Sequence, residues 1–416
     1  MVQPFVIEYL KTHTFAQLKE EHGVNSRPSN DARKHSLNYN QVEIKNGDLL
    51  AEQCRGIVIK PRVKCTNVDT IVGDVELLAW PMNRFYNAGD PAGANVDWSD
   101  PWLNVLEKLD GTMIVVYYDG ELNGWCRATR GVPDADLPVN SQNILIGEKT
   151  FSVLFDDALH KTVIAAGEDA LRNYLLHGLD LNTNVTYVFE LTGPYNRVVV
   201  RYEEPRVTLI AARDITTGEE LNINELPIPR YIPRPKTWNI KDVVALRAFV
   251  DNADPGKLEG AVVCDSSFNR LKVKNKSWVL SSKAREMVTT SPRSGLEAII
   301  QQSIDDVLPL IEKDVASKLV LLQAAYAAFC KHNDELFESF IRNSTTRKEF
   351  ALQVQASDAL TYVMFALYDD VMKSRKFTLS CDDYIRTLSI DGKLSPSMLD
   401  KLLNVLNMSI QPSSVE

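Results

Sequence analysis

The sequence predicts an α+β fold in two successive blocks, and three observations carry the prediction. Short β-branched and aromatic runs divided by turn residues recur from residue 36 to residue 274; the clearest, 113–118 and 122–129, flank Asp119-Gly120 and read as a hairpin. From about Ser282 onward leucine, alanine and isoleucine recur at helical spacing without strand alternation. The 416 residues suffice for two or three domains, and 44% hydrophobic with 24% charged residues is ordinary for a globular chain. The expectation is a domain of antiparallel sheets with flanking helices over 1–281, followed by an all-helical domain over 282–416.

Residues 1–23 read as helix, because Thr14-Phe15-Ala16-Gln17 has the form of a capping box and Gly23 is a natural stop. Residues 26–33 are polar with a proline and read as a loop, and 36–42 as a strand. Within 49–59, Cys54-Arg55-Gly56-Ile57-Val58-Ile59 puts a charged residue on the threshold of a β-branched strand. A further apolar stretch, 76–80, leads into Pro81-Met82-Asn83-Arg84-Phe85-Tyr86-Asn87, an aromatic and basic segment suited to lie against a ligand. In Leu106-Glu107-Lys108-Leu109-Asp110-Gly111-Thr112 a lysine stands two residues before an Asp-Gly turn signal. The apolar run 113–118 comes directly after it, so Lys108 is expected in a loop entering a strand.

Residues 150–180 read as helix, 186–191 as a strand with Glu190 inside it, and 197–201 and 207–214 as two more strands. The proline-rich 226–235 is irregular, and 241–250 is a short helix. Segments 258–263 and 271–274 flank a turn at 265–269. A hairpin there brings Glu259 near Lys272 and Lys274, which share a face because strand side chains repeat every two residues. Helices are expected over 295–311, 314–343, 346–372 and 395–407, the last starting at Ser395-Pro396.

A formal net charge of -9 supplies no global basic field, so a nucleic-acid partner requires a local basic groove. The six cysteines stand singly, without a Cys-x-x-Cys pair, which suits reduced thiols rather than a zinc knuckle or a disulfide framework. The six histidines show no ligand spacing. No apolar run approaches a membrane span and no leader pattern opens the sequence, so a cytoplasmic protein with no membrane partner is expected.

The polar residues inside or at the ends of apolar strands are Arg55, Lys108, Asp110, Arg130, Glu190, Glu259, Lys272 and Lys274. Their signs suit a polyphosphate with a divalent metal: the cations neutralise phosphate oxygens, and the carboxylates hold a ribose hydroxyl, a metal or a metal-bound water. Gly-x-x-x-x-Gly-Lys-Ser/Thr, the dinucleotide fingerprint and His-Glu-x-x-His are all absent. A nucleotide would therefore be held by side chains on strands. A lysine attacking phosphorus must be neutral, against a reference pKa of about 10.4; nearby Lys272 and Lys274, or a metal, would lower it. The product is a phosphoramidate joining Lys108 to a nucleoside monophosphate, with pyrophosphate leaving.

Lys108-Leu109-Asp110-Gly111 resembles the nucleotidyl-lysine motif Lys-x-Asp-Gly of polynucleotide ligases and RNA capping enzymes. Its companions stand in the superfamily's order: Thr129-Arg130-Gly131, Phe189-Glu190, Glu259-Gly260 and Lys272-Val273-Lys274. Cys54-Arg55-Gly56-Ile57-Val58 and the segment from Pro81 to Asn87 are similar to the RNA ligase 1 family of T-even phages and their relatives. The resemblance covers residues 48–280.

It implies a nucleotidyltransferase domain of the ATP-grasp-like ligase type. Lys108 would be the adenylated nucleophile and Asp110 would orient it. Glu190 would bind the ribose, Glu259 would act through the catalytic metal, and Lys272 and Lys274 would contact the α-phosphate. Arg55 would hold the outer phosphates with Arg84, which stands where the family carries a lysine. Glu107 joins the ATP site, and Arg130 contacts RNA or phosphate. The implied co-substrate is ATP, with magnesium or manganese. The implied substrate is RNA with 5′-phosphate and 3′-hydroxyl ends, by analogy a nicked tRNA prepared by an end-healing kinase and phosphatase, and a monomer is expected. The helical domain would choose the RNA.

Two alternatives stay open. One is another lysyl-nucleotide transferase, either a DNA-end ligase or an enzyme that only adenylates 5′ ends. The helical texture after Lys274 counts against DNA ligases and capping enzymes, which carry an OB-fold there. Fungal and plant tRNA ligases typically carry Asn in place of Asp110 and fused end-healing domains. The other alternative is a silent nucleic-acid-binding module, against which intact Lys108, Glu190, Glu259, Lys272 and Lys274 argue.

Overall fold

The computed structural model describes residues 2–410 except 42, 66, 137–149, 168–175, 177–178, 290–291, 303, 305–307, 309–312, 358, 376–378 and 392. The chain divides into two compact units, Met1–Trp278 and Val279–Glu416.

The first unit begins with helices α1 (Phe5–Leu10) and α2 (Phe15–His22). The Thr14 capping box forms, and Gly23 caps α2 in the left-handed conformation. Next in the chain are strands β1 (Val24–Pro28) and β2 (His35–Tyr39), helix α3 (Leu49–Gln53), and strands β3 (Arg55–Pro61) and β4 (Val75–Ala79). The four strands make an antiparallel sheet in the order β1-β2-β3-β4. One face of this sheet packs Leu37, Ile57 and Ile59 against Val6, Leu10 and Leu18 of the first two helices.

Strands β5 (Tyr86–Asn87), β6 (Asn104–Lys108), β7 (Thr112–Asp119) and β8 (Gly124–Thr129) come next, then helix α4 (Phe151–Ala165) and strands β9 (Val185–Thr192) and β10 (Arg206–Asp214). A second antiparallel sheet has the order β10-β9-β7-β8. Ile114 and Val116 of β7 face Phe155 and Leu159 of α4, while Val115 and Tyr117 face Val58 and Leu78 of the first sheet. Burial on both faces is why 113–118 is a continuous apolar run rather than an alternating one.

Strand β11 (Thr237–Trp238), helix α5 (Val243–Asp251), strands β12 (Gly260–Cys264) and β13 (Arg270–Lys274), and helix α6 (Lys276–Thr289) complete the series. The third sheet has the order β11-β6-β12-β13-β5 and is antiparallel except for the short β13–β5 pair. Its apolar face packs Val105, Ala261, Val263, Leu271 and Val273 against Leu246 and Val250 of α5.

In the second unit the described residues form α7 (Pro292–Ile300), α8 (Lys313–Arg342), α9 (Arg347–Gln355), α10 (Thr361–Ser374), α11 (Cys381–Ile390) and α12 (Pro396–Ile410). Phe350, fully buried, meets the rings of Phe337, Phe340, Phe365 and Tyr368. No described helix is long and apolar enough to cross a membrane.

Several sequence expectations are corrected. Lys108 is the last residue of β6, paired with Gly260, and not part of a loop; a five-residue strand with three polar residues carries little signal of its own. Segment 197–201 is no strand, because the Val199 and Val200 N–H groups donate to the Asp110 carboxylate instead of to a ladder. Part of the polar loop predicted at 26–33 is the edge strand β1, where Pro28 and polar residues are tolerated. The helix expected over 150–180 ends at Ala165, and most of 168–180 lies outside the described residues.

The helix over 346–372 is two helices, α9 and α10. Between them Leu360 N–H donates to the side chain of buried Asn333 (3.2 Å). Helices α3, α6 and α11 had not been expected. The Ser380–Asp383 capping box is the local signal for α11.

Candidate functional site

The geometry begins with register. Gly260 of β12 lies opposite Lys108 on one side and Lys274 on the other. The residue before it, Glu259, therefore stands between two ammonium groups. Lys108 Nζ is 2.6 Å and Lys274 Nζ 2.9 Å from the same Glu259 Oε1. Glu259 is 3% exposed, so both pairs are strengthened by removal from water. The expectation that Lys274 acts on Lys108 as a bare positive neighbour is amended, because the Glu259 carboxylate is shared between them.

Two glycines make this approach sterically possible. A Cβ on Gly260 would lie 2.1 Å from the Val273 carbonyl oxygen, and one on Gly111 would lie 2.3 Å from the Leu191 carbonyl oxygen. The Glu-Gly and Asp-Gly pairs thus have a packing reason: each glycine lets a charged neighbour sit where two backbones meet.

Asp110 is 2% exposed, and its Oδ2 accepts from Val199 N (2.8 Å), Val200 N (2.7 Å) and Trp278 Nε1 (3.1 Å). Its own N–H donates to the Tyr202 hydroxyl (3.1 Å). Burial, then the charge of Glu259, push its carboxyl above the usual range, while these hydrogen bonds pull it back. Trp278 also holds Lys274, whose Nζ lies 4.4 Å from the indole ring centre. Trp278 is set in turn by Asn275, which accepts from Trp278 N–H (3.0 Å) and donates to the Val250 (2.8 Å) and Ala253 (2.9 Å) carbonyls.

Glu190 lines the same cavity as Lys108. Burial pushes its carboxyl up to about 7; Glu259 and Asp110 add to the rise, and Lys108 and Arg55 oppose it. A carboxyl raised in the folded state binds more protons there than in the unfolded chain between about pH 4.5 and 7. Stability is therefore expected to fall as pH rises through that window and to level off above it. The Glu190 contribution is on the order of 3 kcal/mol, and Glu190→Gln should flatten the slope in denaturant midpoints measured from pH 4.5 to 8. An unchanged slope would show that Glu190 ionises normally.

A cluster of cations and aromatic rings flanks the cavity. Arg55 Cζ is 4.8 Å and Lys272 Nζ 5.6 Å from the Phe85 ring centre. Lys272 donates to the Phe85 carbonyl (3.1 Å), and burial, then Arg55, Lys274 and Lys108, hold its ammonium down at about 8. Arg84 stacks over Tyr86 (4.4 Å) and Tyr39 (5.2 Å), and Arg130 over Tyr39 (5.6 Å). Arg55 Nη1 and Arg84 Nη1 are buried without a hydrogen-bond partner. Buried unpaired guanidinium donors are costly, and an anion would satisfy them.

The cavity is lined by Arg55, Met82, Phe85, Leu106, Glu107, Lys108, Leu109, Glu190, Ile210, Pro235, Val262 and Arg270. Of the residues singled out in the sequence, Arg55, Glu107, Lys108 and Glu190 line it. Glu259 and Lys274 meet Lys108 by direct ion pairing, and Asp110 anchors the turn behind it. Arg84 and Arg130 gather on Tyr39, outside the lining. Among the described residues no cluster of three His, Cys, Asp or Glu side chains forms a metal cage.

Sequence reasoning missed Trp278, Asn275 and Tyr202, which have no local signal. It also missed Arg270, which had one: Arg270-x-Lys272-x-Lys274 places three cations on one strand face.

Fold and site together define a cavity between two sheets, flanked by guanidinium groups with unpaired buried donors and by a carboxylate-paired lysine. Among curated proteins the chain is similar to a putative bifunctional polynucleotide kinase/RNA ligase of Autographa californica nuclear polyhedrosis virus, 26% identical over 285 residues, covering 66% of this chain and 37% of that protein. It is also similar to an RNA ligase of Rhodothermus phage RM378, 29% identical over 162 residues, or 34% of each chain. The chain thus spans about a third of the length of the curated relatives it matches. Among solved structures, an archaeal ATP-dependent RNA ligase aligns with 66% of this chain and 64% of its own at 14% identity and a TM-score of 0.35. A Naegleria gruberi RNA ligase with PPi aligns with 42% of this chain and 50% of its own at 13% identity and a TM-score of 0.28. No family model matches the chain.

Proposed function

We propose that this chain is an ATP-dependent RNA ligase that works through a Lys108–AMP intermediate, of the branch that resembles the RNA ligase 1 family of T-even phages. The observation that carries the reading is the pair Lys108 Nζ–Glu259 Oε1 at 2.6 Å, beside a cavity flanked by buried cations with unpaired donors. Both curated relatives named above are RNA ligases by name.

In the first step the Lys108 ammonium gives up a proton, for which Glu259 Oε1 is the nearest acceptor. The nitrogen lone pair attacks the α-phosphorus of ATP; an N–P bond forms, the P–O bond to the β-phosphate breaks, and pyrophosphate leaves. In the second, an oxygen of the RNA 5′-phosphate attacks the same phosphorus and Lys108 departs, recovering its proton. In the third, the RNA 3′-hydroxyl loses its proton to water and its oxygen attacks the adenylated 5′-phosphate; a 3′-O–P bond forms, the P–O bond to AMP breaks, and AMP leaves. Arg55 and Arg84 would bind the outer phosphates, Lys272 and Lys274 the α-phosphate, and Glu190 the ribose. Glu107 would border the nucleotide, and Arg130 would meet phosphate or RNA.

With no carboxylate cage among the described residues, magnesium would arrive with the nucleotide and be held by Glu259 together with phosphate oxygens and water, the usual habit of this ion. It would supply charge stabilisation at the transferring phosphate.

Residues 1–281 would be the adenylyltransferase domain and 282–416 would select the RNA, a nicked tRNA anticodon loop by family analogy. The kinase named in the baculovirus relative suggests an end-healing enzyme acting beforehand.

The test offers a 5′-phosphorylated, 3′-hydroxyl RNA and its DNA counterpart, each with ATP and magnesium. Circular or joined RNA, with AMP released, is the expected product. Joining of DNA alone would move the reading to a DNA-end ligase, and adenylated RNA without joining to an enzyme that only adenylates 5′ ends.

A further inference from the structure

One wall of the cavity is a strap that the proposed steps do not use. Pro233-Arg234-Pro235-Lys236 runs from the second sheet to the third. At one end the Pro233 carbonyl accepts from Leu209 N–H of β10 (2.9 Å); at the other the Lys236 carbonyl accepts from Glu107 N–H of β6 (2.8 Å). Both ties fall at the cavity. Ile210, next to Leu209, is the extra residue of a bulge in β10 and lines the cavity, and Glu107 directly precedes Lys108. Pro235 is buried and lines the cavity as well.

The strap is short and stiff. Three residues reach at most about 11 Å at full extension, so it limits how far β10 and β6 can separate here. Proline fixes the backbone at 233 and 235, and Pro235 also holds Arg234 extended.

Arg234 fastens the strap to the second sheet. Its Nε donates to the Ile223 carbonyl (3.4 Å), and its Nη1 to the Pro229 (2.9 Å) and Ile232 (2.6 Å) carbonyls. Its Nη2 donates to the Ile223 (3.3 Å) and Ile228 (3.1 Å) carbonyls. All five guanidinium N–H donors are thus spent on four backbone oxygens. Ile228 and Ile232 are buried in the core shared by the second sheet and α4, so the loop that Arg234 gathers is anchored there. Arg55 and Arg84 keep buried donors without partners, whereas Arg234 keeps none for a phosphate.

We propose that Arg234 is a positioning residue: by fixing the strap between β10 and β6 it sets the spacing of the cavity walls, and with it the fit of the nucleotide beside Lys108. This inference rests on the proposed ATP chemistry and adds to it the device that holds the two walls in place. A nucleotide that meets Lys108 on β6 and Glu190 on β9 at once is sensitive to that spacing.

The experiment measures initial rates of label transfer to the full-length protein from α-phosphate-labelled ATP with magnesium, over a range of ATP concentrations, and records the thermal unfolding of each protein. Wild type is compared with three variants. Arg234→Lys keeps the charge but loses the planar fork. Pro233→Gly keeps the carbonyl tie but frees the backbone. Arg230→Ala removes an exposed charge close to Arg234.

Arg234→Lys should need about tenfold more ATP for half-maximal labelling and Pro233→Gly about threefold more, with maximal rates within about threefold of wild type. Arg230→Ala should match wild type. A merely structural Arg234 would lower the unfolding temperature and the active fraction, hence the maximal rate, and leave half-saturation unchanged. That result would overturn the inference and leave the ATP chemistry standing. Should Arg234→Lys fail to fold, Pro233→Gly decides alone: unchanged half-saturation overturns the inference and a raised one sustains it. A rise with Arg230→Ala equal to that with Arg234→Lys would assign the effect to lost charge and overturn it too. A wild type that takes no label would overturn the ATP chemistry along with it.

Discussion

Protein incubated with α-phosphate-labelled ATP and magnesium is expected to keep label through denaturation, and Lys108→Ala is expected to keep none. A phosphoramidate is acid-labile and alkali-stable, which separates it from a phosphate ester on a hydroxyl. The loss on removing Lys108 should reach at least about 10⁴-fold, because a missing nucleophile is not replaced by its neighbours. Lys274 shares the same Glu259 oxygen at 2.9 Å, but it is braced over the Trp278 ring and faces its own end of the β12–β13 pair. Lys274→Ala should therefore slow labelling without moving the label. Label of undiminished intensity on Lys108→Ala would sink the nucleophile assignment and favour a silent binding module whose label is adventitious.

The second large effect concerns Asp110. Asp110→Ala is expected to lower folding stability by on the order of 3 kcal/mol and to abolish labelling. The substitution strands three donors (Val199 N, Val200 N and Trp278 Nε1) inside a site that is nearly dry. Each buried unpaired donor costs about 1–3 kcal/mol. Part of that sum is returned because the carboxylate, raised by burial and by Glu259, is itself costly to keep ionised. Asp110→Asn can put its amide oxygen where Oδ2 accepts all three donors, losing only the charge, so its stability loss should be smaller. Its activity loss should remain large, because the turn that follows Lys108 hangs on this anchor. A denaturant midpoint unchanged in Asp110→Ala would show that 199–200 and Trp278 find other partners.

Much of the fold was legible locally. The β7–β8 hairpin comes from Asp119-Gly120, α2 from its capping box and Gly23, and the β12–β13 hairpin from the turn at 265–269. These signals act over a few residues, and nothing distant competes with them. Strand β6 was read as a loop because Asn104-Val-Leu-Glu-Lys108 has no strand pattern of its own; its pairing with β12 and β11 makes it a strand. Segment 197–201 erred in the opposite direction, since its valines favour a strand while a buried carboxylate claims its N–H groups. Of the residues at the site, the charged ones standing out against apolar strands were visible. Their apolar and neutral supports, Trp278, Asn275 and Tyr202, look like any other core residue in a linear reading.

By itself the sequence determined the local elements, the alternation that puts Lys272 and Lys274 on one face, and the glycines beside Asp110 and Glu259. Turn propensity, side-chain periodicity and steric bulk are properties of short stretches, so these are decided where they are written. Tertiary structure alone decided that Gly260 lies between Lys108 and Lys274, so that one carboxylate oxygen serves both ammonium groups. It also decided that Asp110 holds three segments at once and that Arg270 stands at the end of the cavity. Strand register and the meeting of sheets depend on packing between residues far apart in the chain, and no short stretch carries that information.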